Sequence, residues 1–238
     1  MLRNQKVIVL GGSSGMGLAT ARLLATEGAH VVIASRSQEK LDAALRIIGG
    51  KSEAISLDFS QEDAVRSFFD SLGVFDHLVL MGAGLPAWGI LSEIKSSVLE
   101  NAFHTKFWGY FLCAKYGAPL IRPGGSILFT IGGAARSAIP GTAGVAAVNG
   151  AIMCMAMTLA KELAPTRVNV LSPGLVDTPA YNWMSDQEKS AFFKQMGGNL
   201  PVGRVGQPDE IAQSAFCLIA NNYTTGAILD VDGGGRLH

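Results

Sequence analysis

Seven short apolar runs punctuate this chain, and segments with helical periodicity lie between them. The runs are KVIVLG from Lys6, HVVIA from His30, EAISL from Glu53, DHLVLM from Asp76, GSILFT from Gly125, RVNVLS from Arg167 and AILDV from Ala227. Their Val, Ile and Leu are continuous rather than alternating, as in strands covered on both faces. GLATARLLATEG, after the first run, has helical spacing and a stop at Gly28. Regular strand–helix alternation predicts an α/β fold: a Rossmann-type, doubly wound parallel sheet of about seven strands, with right-handed crossovers and helices on both faces. No linker, repeat or low-complexity tract interrupts the pattern, so residues 1–238 are expected to form one domain. With 48% hydrophobic and 16% charged residues, the chain has the material for a large core. On such sheets ligands bind beyond the carboxyl ends of the strands, where the strand order reverses.

Composition excludes several partner classes. Nineteen basic residues balance nineteen acidic ones, which removes any general pull toward nucleic acid or an anionic membrane. The start runs directly into VIVLGG, too short and glycine-broken for a secretory signal. The longest uninterrupted apolar run, AIMCMAMTLA, stops at Lys161, short of the roughly 18 residues of a membrane span. A soluble, cytoplasmic protein is the expectation. Cys113, Cys154 and Cys217 are scattered without metal-ligand spacing and read as buried small apolar groups in a reduced compartment. No metal site is expected.

Gly11, Gly12, Ser13, Ser14, Gly15, Met16 and Gly17 join the first strand to the first helix. Glycines there let the backbone turn tightly and approach a pyrophosphate at the helix N-terminus. A glycine-rich turn also serves simply to pack helix on strand; the flanking strand and helix favour a dinucleotide. At the end of the second strand an acidic residue would bind a ribose 2′-hydroxyl, but the chain reads Ser35-Arg36-Ser37. Arg36 is able to pair with a 2′-phosphate, with Ser35 or Ser37 hydrogen-bonding it. That reading favours NADP(H) over NAD(H); the competing one makes Arg36 a solvated residue near a helix start.

Taken together, these segments resemble the short-chain dehydrogenase/reductase family, and the resemblance spans essentially the whole chain. GGSSGMG is similar to its cofactor loop, with Gly11 where the family usually has threonine. Leu57-Asp58-Phe59 resembles the segment that contacts adenine. Met81-Gly82-Ala83-Gly84 stands where the family carries Asn-Asn-Ala-Gly. LAKELAP followed by RVNVLSPGLVDTP, then LPVGRVGQPDEIA and LDVDGGG, are close matches. By this resemblance Pro173, Gly174 and Val176 lie along the nicotinamide side, and Thr178 holds its carboxamide or a phosphate.

The family's usual chemistry transfers hydride between nicotinamide and a carbonyl or alcohol. A tyrosine donates the proton, a lysine one helical turn later lowers its pKa and holds the ribose, a serine orients the substrate oxygen, and an asparagine completes a relay. Registered on Gly125-Ser126 and Pro140-Gly141, these positions fall on Val145, Asn149, Gly132 and Lys106 respectively. Val145 and Asn149 have the spacing of one helix face, as the tyrosine and lysine require. Neither Tyr116 nor Tyr181 lies in the matching segment, and Thr130 is expected to sit inside its strand.

Lys106 stands where asparagine is expected and Asn149 where lysine is, so the ammonium is a candidate to bind the ribose or polarise a substrate oxygen. Its alternative is to snorkel to the surface at a subunit contact. Arg136, Ser137 and Thr142 are expected to line the substrate space. Tyr181 and Trp183 belong to a lid around residues 179–200, Tyr181 being either a replacement acid or an aromatic wall. His104 is expected to point away from Lys106, and Asp177 and Asp230 to be hydrogen-bonding residues rather than acids at work.

Three functions remain open from the sequence. The first is an NADP-dependent oxidoreductase with a non-standard site, acting on a small carbonyl, alcohol or activated C=N or C=C substrate. The second is a non-redox isomerase, lyase or cyclase on the same scaffold, and the third a non-catalytic cofactor-binding homologue. The resemblance implies a homotetramer or dimer, and AFHTKFWGYFLCAKYGAPLI and AIMCMAMTLAKEL carry more large apolar residues than one inward face requires.

Overall fold

The computed structural model describes residues 2–237. Seven parallel strands form one sheet: β1 (Lys6–Leu10), β2 (His30–Ser35), β3 (Ser52–Ser56), β4 (Phe75–Leu80), β5 (Ile121–Thr130), β6 (Arg167–Pro173) and β7 (Ile228–Val231), in the order β3-β2-β1-β4-β5-β6-β7. All seven apolar runs fall on these strands. The order reverses between β1 and β4, which opens a crevice beyond Leu10 and Leu80. The inner strands β1, β2, β4 and β6, and β5 from Gly125 onward, are nearly solvent-free, whereas edge strand β3 has no fully buried residue.

Two apolar layers sandwich the sheet. On one face Val7, Val9, Val31 and Ile33 pack with α1 (Gly15–Thr26), α2 (Gln38–Ile48) and, through Ile211, Ala215, Leu218 and Ile219, with α8 (Pro208–Ala220). On the other, Ile8, Leu78, Leu80, Ile127 and Phe129 meet α3 (Glu62–Leu72), α5 (Gly109–Gly117) and α6 (Ala143–Glu162). A short α4 (Ser96–Ala102) runs into α5 through a π-helical segment, Phe103–Trp108. Such a segment is rare, and π-bulges occur frequently at functional sites. After β6, a 3₁₀ turn at Pro179–Tyr181 and α7 (Asp186–Gly198) form the segment expected as a lid, with a Ser185–Glu188 capping box starting α7.

Two expectations are corrected. Only Cys113 is buried; Cys154 and Cys217 are exposed, because they fall on the outward faces of α6 and α8. And α6, counted as a whole helix rather than an uninterrupted apolar run, is long and apolar enough by length and composition to cross a membrane. It packs along the sheet through Val148, Ile152 and Ala156, but most of its apolar window is uncovered.

Candidate active site

The glycine-rich turn is closed on itself. Gly17 sits where any side chain would strike the Gly11 carbonyl, so the first turn of α1 must lie directly on the end of β1. Ser14 caps α1 without a side-chain hydrogen bond, so no side chain of the cap satisfies the first-turn N–H groups. Gly12 is buried against Ile33, Ser13 and Met16 are partly covered, and Gly15 lies 3.4 Å from Thr178 by its virtual Cβ. This contact brings the expected lid base to the helix N-terminus.

At the end of β2 the Ser35 hydroxyl is buried and has no hydrogen-bond partner. Arg36 is exposed, and Ser37 caps α2 by accepting from the Lys40 N–H at 3.3 Å. Asp58 stands beside Arg36. Partial burial pushes its carboxyl up, but the Ser60 hydroxyl at 2.7 Å, the Ser60 N–H at 3.0 Å and Arg36 together hold it below its usual range. Phe59 turns inward against Gly82, Gly109 and the Tyr110 ring. An uncapped helix N-terminus, an orphaned hydroxyl and a nearby guanidinium fit an anionic dinucleotide.

The other half of the crevice is built from side chains. The π-helical segment carries Lys106 beside Gly84, and its ammonium donates to Asn149 Oδ1 of α6 at 2.8 Å. Burial alone pushes the Lys106 amine down to about 8. Asn149 is 2% exposed, and its Nδ2 faces Gly132, just past β5. Val145, one turn earlier on α6, is partly exposed. Thus the structure joins Lys106, Asn149 and Gly132, three positions singled out from distant segments. His104 is exposed, as anticipated, and near enough to Asp58 to act on its charge.

Other candidates are engaged locally. Arg136 donates to Asp230 at 3.3 and 3.0 Å, and Arg236 pairs with the same carboxylate, tying the β5 loop to β7. Thr142 is buried and its hydroxyl donates to Ile139 O at 2.7 Å, while Ser137 donates to Gly133 O. Asp177 pairs with Lys189. Val176 is buried and bridges Gly206; Pro173 ends β6, and Gly174 is pressed against Asp232. Ala83 is exposed and Gly82 buried beside it. Tyr181 packs on Phe192 and Phe193, and burial raises its phenol, whereas Trp183 is 77% exposed. Thr130 is buried in β5 with its hydroxyl unpartnered, inside the strand as expected.

Sequence reasoning passed over Tyr110. It is buried, donates its hydroxyl to Gly82 O at 2.9 Å, and places its ring 5.9 Å from the Lys106 ammonium. Burial drives its pKa upward, so it is a floor and an anchor for the β4 loop rather than an acid. Its one-turn spacing from Lys106 was the available signal. Among the described residues no cluster of His, Cys, Asp or Glu has the arrangement of a metal site.

Residues 11–236 match the family model described as enoyl-(acyl carrier protein) reductase. An uncharacterised oxidoreductase of Bacillus subtilis is 32% identical, with 98% of this chain and 91% of that protein covered. A 3-oxoacyl-[acyl-carrier-protein] reductase of Rattus norvegicus is 33% identical over 96% of this chain and 97% of its own. Among solved structures, a small-chain dehydrogenase in complex with NADPH superposes with a TM-score of 0.86 at 36% identity, covering 99% of this chain and 100% of that one. A short chain dehydrogenase/reductase family protein gives 0.90 at 30% identity, over 100% and 99%.

Proposed function

Because this chain belongs to the short-chain dehydrogenase/reductase family, we propose that it binds NADP(H) and transfers hydride to or from a small carbonyl, alcohol or activated C=N or C=C substrate. The observation that carries this reading is the N-terminus of α1, without a side-chain cap at the carboxyl end of β1, beside the exposed Arg36 and the buried, unpartnered Ser35 hydroxyl at the end of the neighbouring β2. First-turn N–H groups there would hold the pyrophosphate. Arg36, with Ser35 and Ser37, would hold the 2′-phosphate, which NAD(H) lacks. Asp58 would face the adenine side, Ala83 and Gly84 the ribose, and Pro173, Gly174 and Thr178 the nicotinamide side. The bound cofactor supplies the hydride; the chain's residues orient it and exclude water.

The family's tyrosine, lysine, serine and asparagine positions correspond in this reading to Val145, Asn149, Gly132 and Lys106, so the proton must come from a group other than tyrosine. Val145 offers only methyls and Tyr110 is committed to Gly82. Those substitutions also support a second reading, a non-redox enzyme or a cofactor-binding homologue. Titration of Trp88, Trp108 and Trp183 fluorescence tests the first half of the proposal: quenching by NADPH at lower concentration than NADH is expected. No response to either nucleotide overturns it. Consumption of NADPH in proportion to product with a carbonyl panel separates redox from non-redox function.

A homo-oligomer completes the proposal. Trp108 at the end of the π-helical segment, Phe111 on α5 and Met157 on α6 are exposed by 48%, 37% and 42%, on the two long helical segments flanking β5. Their covering by a second copy would account for a helix as apolar as α6 with so little buried surface. Sedimentation of a single monomeric species at micromolar concentration would contradict it.

A further inference from the structure

Between β4 and α4 the chain leaves the sheet as an irregular segment that joins the two elements holding Lys106 and Asn149. At its start Gly84 lies against Lys106, and the Leu85 N–H donates to Thr105 Oγ1 at 3.0 Å. Farther along, the Gly89 N–H donates to Gly141 O at 2.9 Å, and Ala87 and Ile94 pack against Gly144 in the first turn of α6. Ala87 and Ile94 are the inner side of the segment, and its outer side is apolar as well. Leu85, Trp88, Ile90 and Leu91 are about half exposed or more, Leu91 by 83%, and Ile139 is exposed on the loop that Gly89 holds. Single apolar side chains on a surface need no explanation, but a contiguous group of this size marks a binding surface.

Resting on the function proposed above, we propose that this segment and Ile139 form an apolar wall for the body of the substrate, so that the molecule exchanging hydride carries an extended, uncharged hydrocarbon or aromatic portion. Ligand sites combine a few convergent polar groups with a largely apolar lining. Lys106 and Asn149 are the polar end here, joined by their 2.8 Å hydrogen bond. The wall starts at Lys106 and ends beside Gly144, one residue before Val145. A substrate seated at the polar end therefore extends along Trp88 and Ile139.

Charge narrows the occupant further. From Gly84 to Ile94 the only charged residue is Glu93, which Lys95 offsets at the start of α4, and residues 137–144 carry no charge. Arg136, the cation of that loop, is held by Asp230. A carboxylate or phosphate on the substrate's tail would lose hydration against the wall with no free cation to receive it. The exposed face assigned above to a second copy lies elsewhere, at Trp108, Phe111 and Met157.

The test uses the full-length protein saturated with NADP⁺ and a ladder of methyl ketones from 2-butanone to 2-octanone, with 7-oxooctanoate as the charged counterpart of the longest. Calorimetry reads affinity without requiring turnover. Each methylene laid on the wall should tighten binding about two- to fourfold. A tail ending in carboxylate should bind at least about 10-fold more weakly than 2-octanone. With Trp88 left as the sole tryptophan by Trp108→Phe and Trp183→Phe, emission should move to shorter wavelength with 2-octanone and not with 7-oxooctanoate. Trp88→Gln, Leu91→Gln and Ile139→Gln should each shrink the ratio of 2-octanone to 2-butanone affinity about threefold or more. Ile47→Gln, at an equally exposed isoleucine on α2, should leave that ratio unchanged. Affinities flat along the ladder, a carboxylate tail bound as tightly as the alkyl one, or a ratio indifferent to all three wall variants overturns the wall alone. So does binding to phosphatidylcholine vesicles that Leu91→Gln abolishes, which would give the patch to a lipid surface. Failure of wild type to bind NADPH overturns the underlying function instead.

Discussion

His77 and Lys106 are both pushed toward neutrality by burial, and they stand at opposite ends of the same sheet. His77 lies at the amino end of β4, 2% exposed, and desolvation, then the Arg167 charge, takes its imidazole down to about 4. Both ring nitrogens are engaged, Nδ1 with Ser126 Oγ at 2.8 Å and Nε2 with Gln5 Oε1 at 3.1 Å. Lys106, at the carboxyl end, has one acceptor, and that acceptor turns a free donor toward open space. A depressed pKa is thus common to a site whose hydrogen bonds are all made and one that keeps a donor unused. What separates them is whether hydrogen-bonding capacity remains for a guest.

Acid should expose the closed site first, with the largest effect. Folded His77 titrates near 4 and unfolded histidine near 6.5, so the unfolded chain binds the extra proton in between. The stabilising contribution is complete above about pH 6.5 and is lost as pH falls through 4, on the order of 3 kcal/mol in all. Urea unfolding from pH 7 to 4 measures it. His77→Asn should flatten that dependence; an unchanged pH profile in the variant would show that His77 is not the group responsible.

Closing the open site comes next. Gly132 has extended backbone, φ −134° and ψ 151°, which valine accepts without strain. Gly132→Val should lower stability by about 1 kcal/mol, because its Cβ would stand 3.2 Å from Asn149 Nδ2 and the amide would have to give way. Turnover of 2-cyclohexenone should fall about 10²-fold, as for loss of one oxyanion donor. Equal turnover would mean that no substrate group uses the space beside Asn149 Nδ2.

Arg36 tests the other half of the crevice, where backbone rather than side chains does most of the shaping. Arg36→Ala should raise the NADPH dissociation constant about 10- to 100-fold, the range of a charge-assisted hydrogen bond, and leave NADH within about twofold. A parallel loss for both nucleotides would place Arg36 away from the 2′-phosphate.

These two halves also differ in how far the sequence discloses them. The strand runs and the glycine turn were legible because their physics is local: continuous Val and Ile mark buried strands, and Gly17 reports a contact only six residues away, at Gly11. Lys106, Asn149 and Gly132 could be flagged only by register against the family. Their meeting depends on α6, the π-helical segment and β5 converging, and on an amide orientation that no spacing encodes. Arg136 shows a related limit: the sequence places a cation in a loop near the crevice, but only the tertiary structure brings Asp230 to it from β7. Cys154 and Cys217 were misjudged because residue type, unlike helix face, says nothing of which side is covered.

The smallest effect is the most discriminating between an open and a closed site. Folded Lys106 titrates near 8, below its unfolded value of 10.5, so the ammonium is disfavoured by folding. Its penalty is full below pH 8 and vanishes above 10.5, so stability owed to this group rises across that window. Because Lys106 retains some exposure, the amount is screened to about 1 kcal/mol. Lys106→Met removes the penalty but leaves Asn149 Oδ1 unpaired, an opposing effect of similar size. The variant should therefore match wild type to within about 1 kcal/mol at pH 7, and fall slightly below it at pH 10.5. His77→Leu, by contrast, should lose about 2 kcal/mol at pH 7, because Ser126 and Gln5 are both left without their partner. A loss at Lys106 as large as that at His77 would make the lysine a structural residue and dissolve the distinction between the two ends of the sheet.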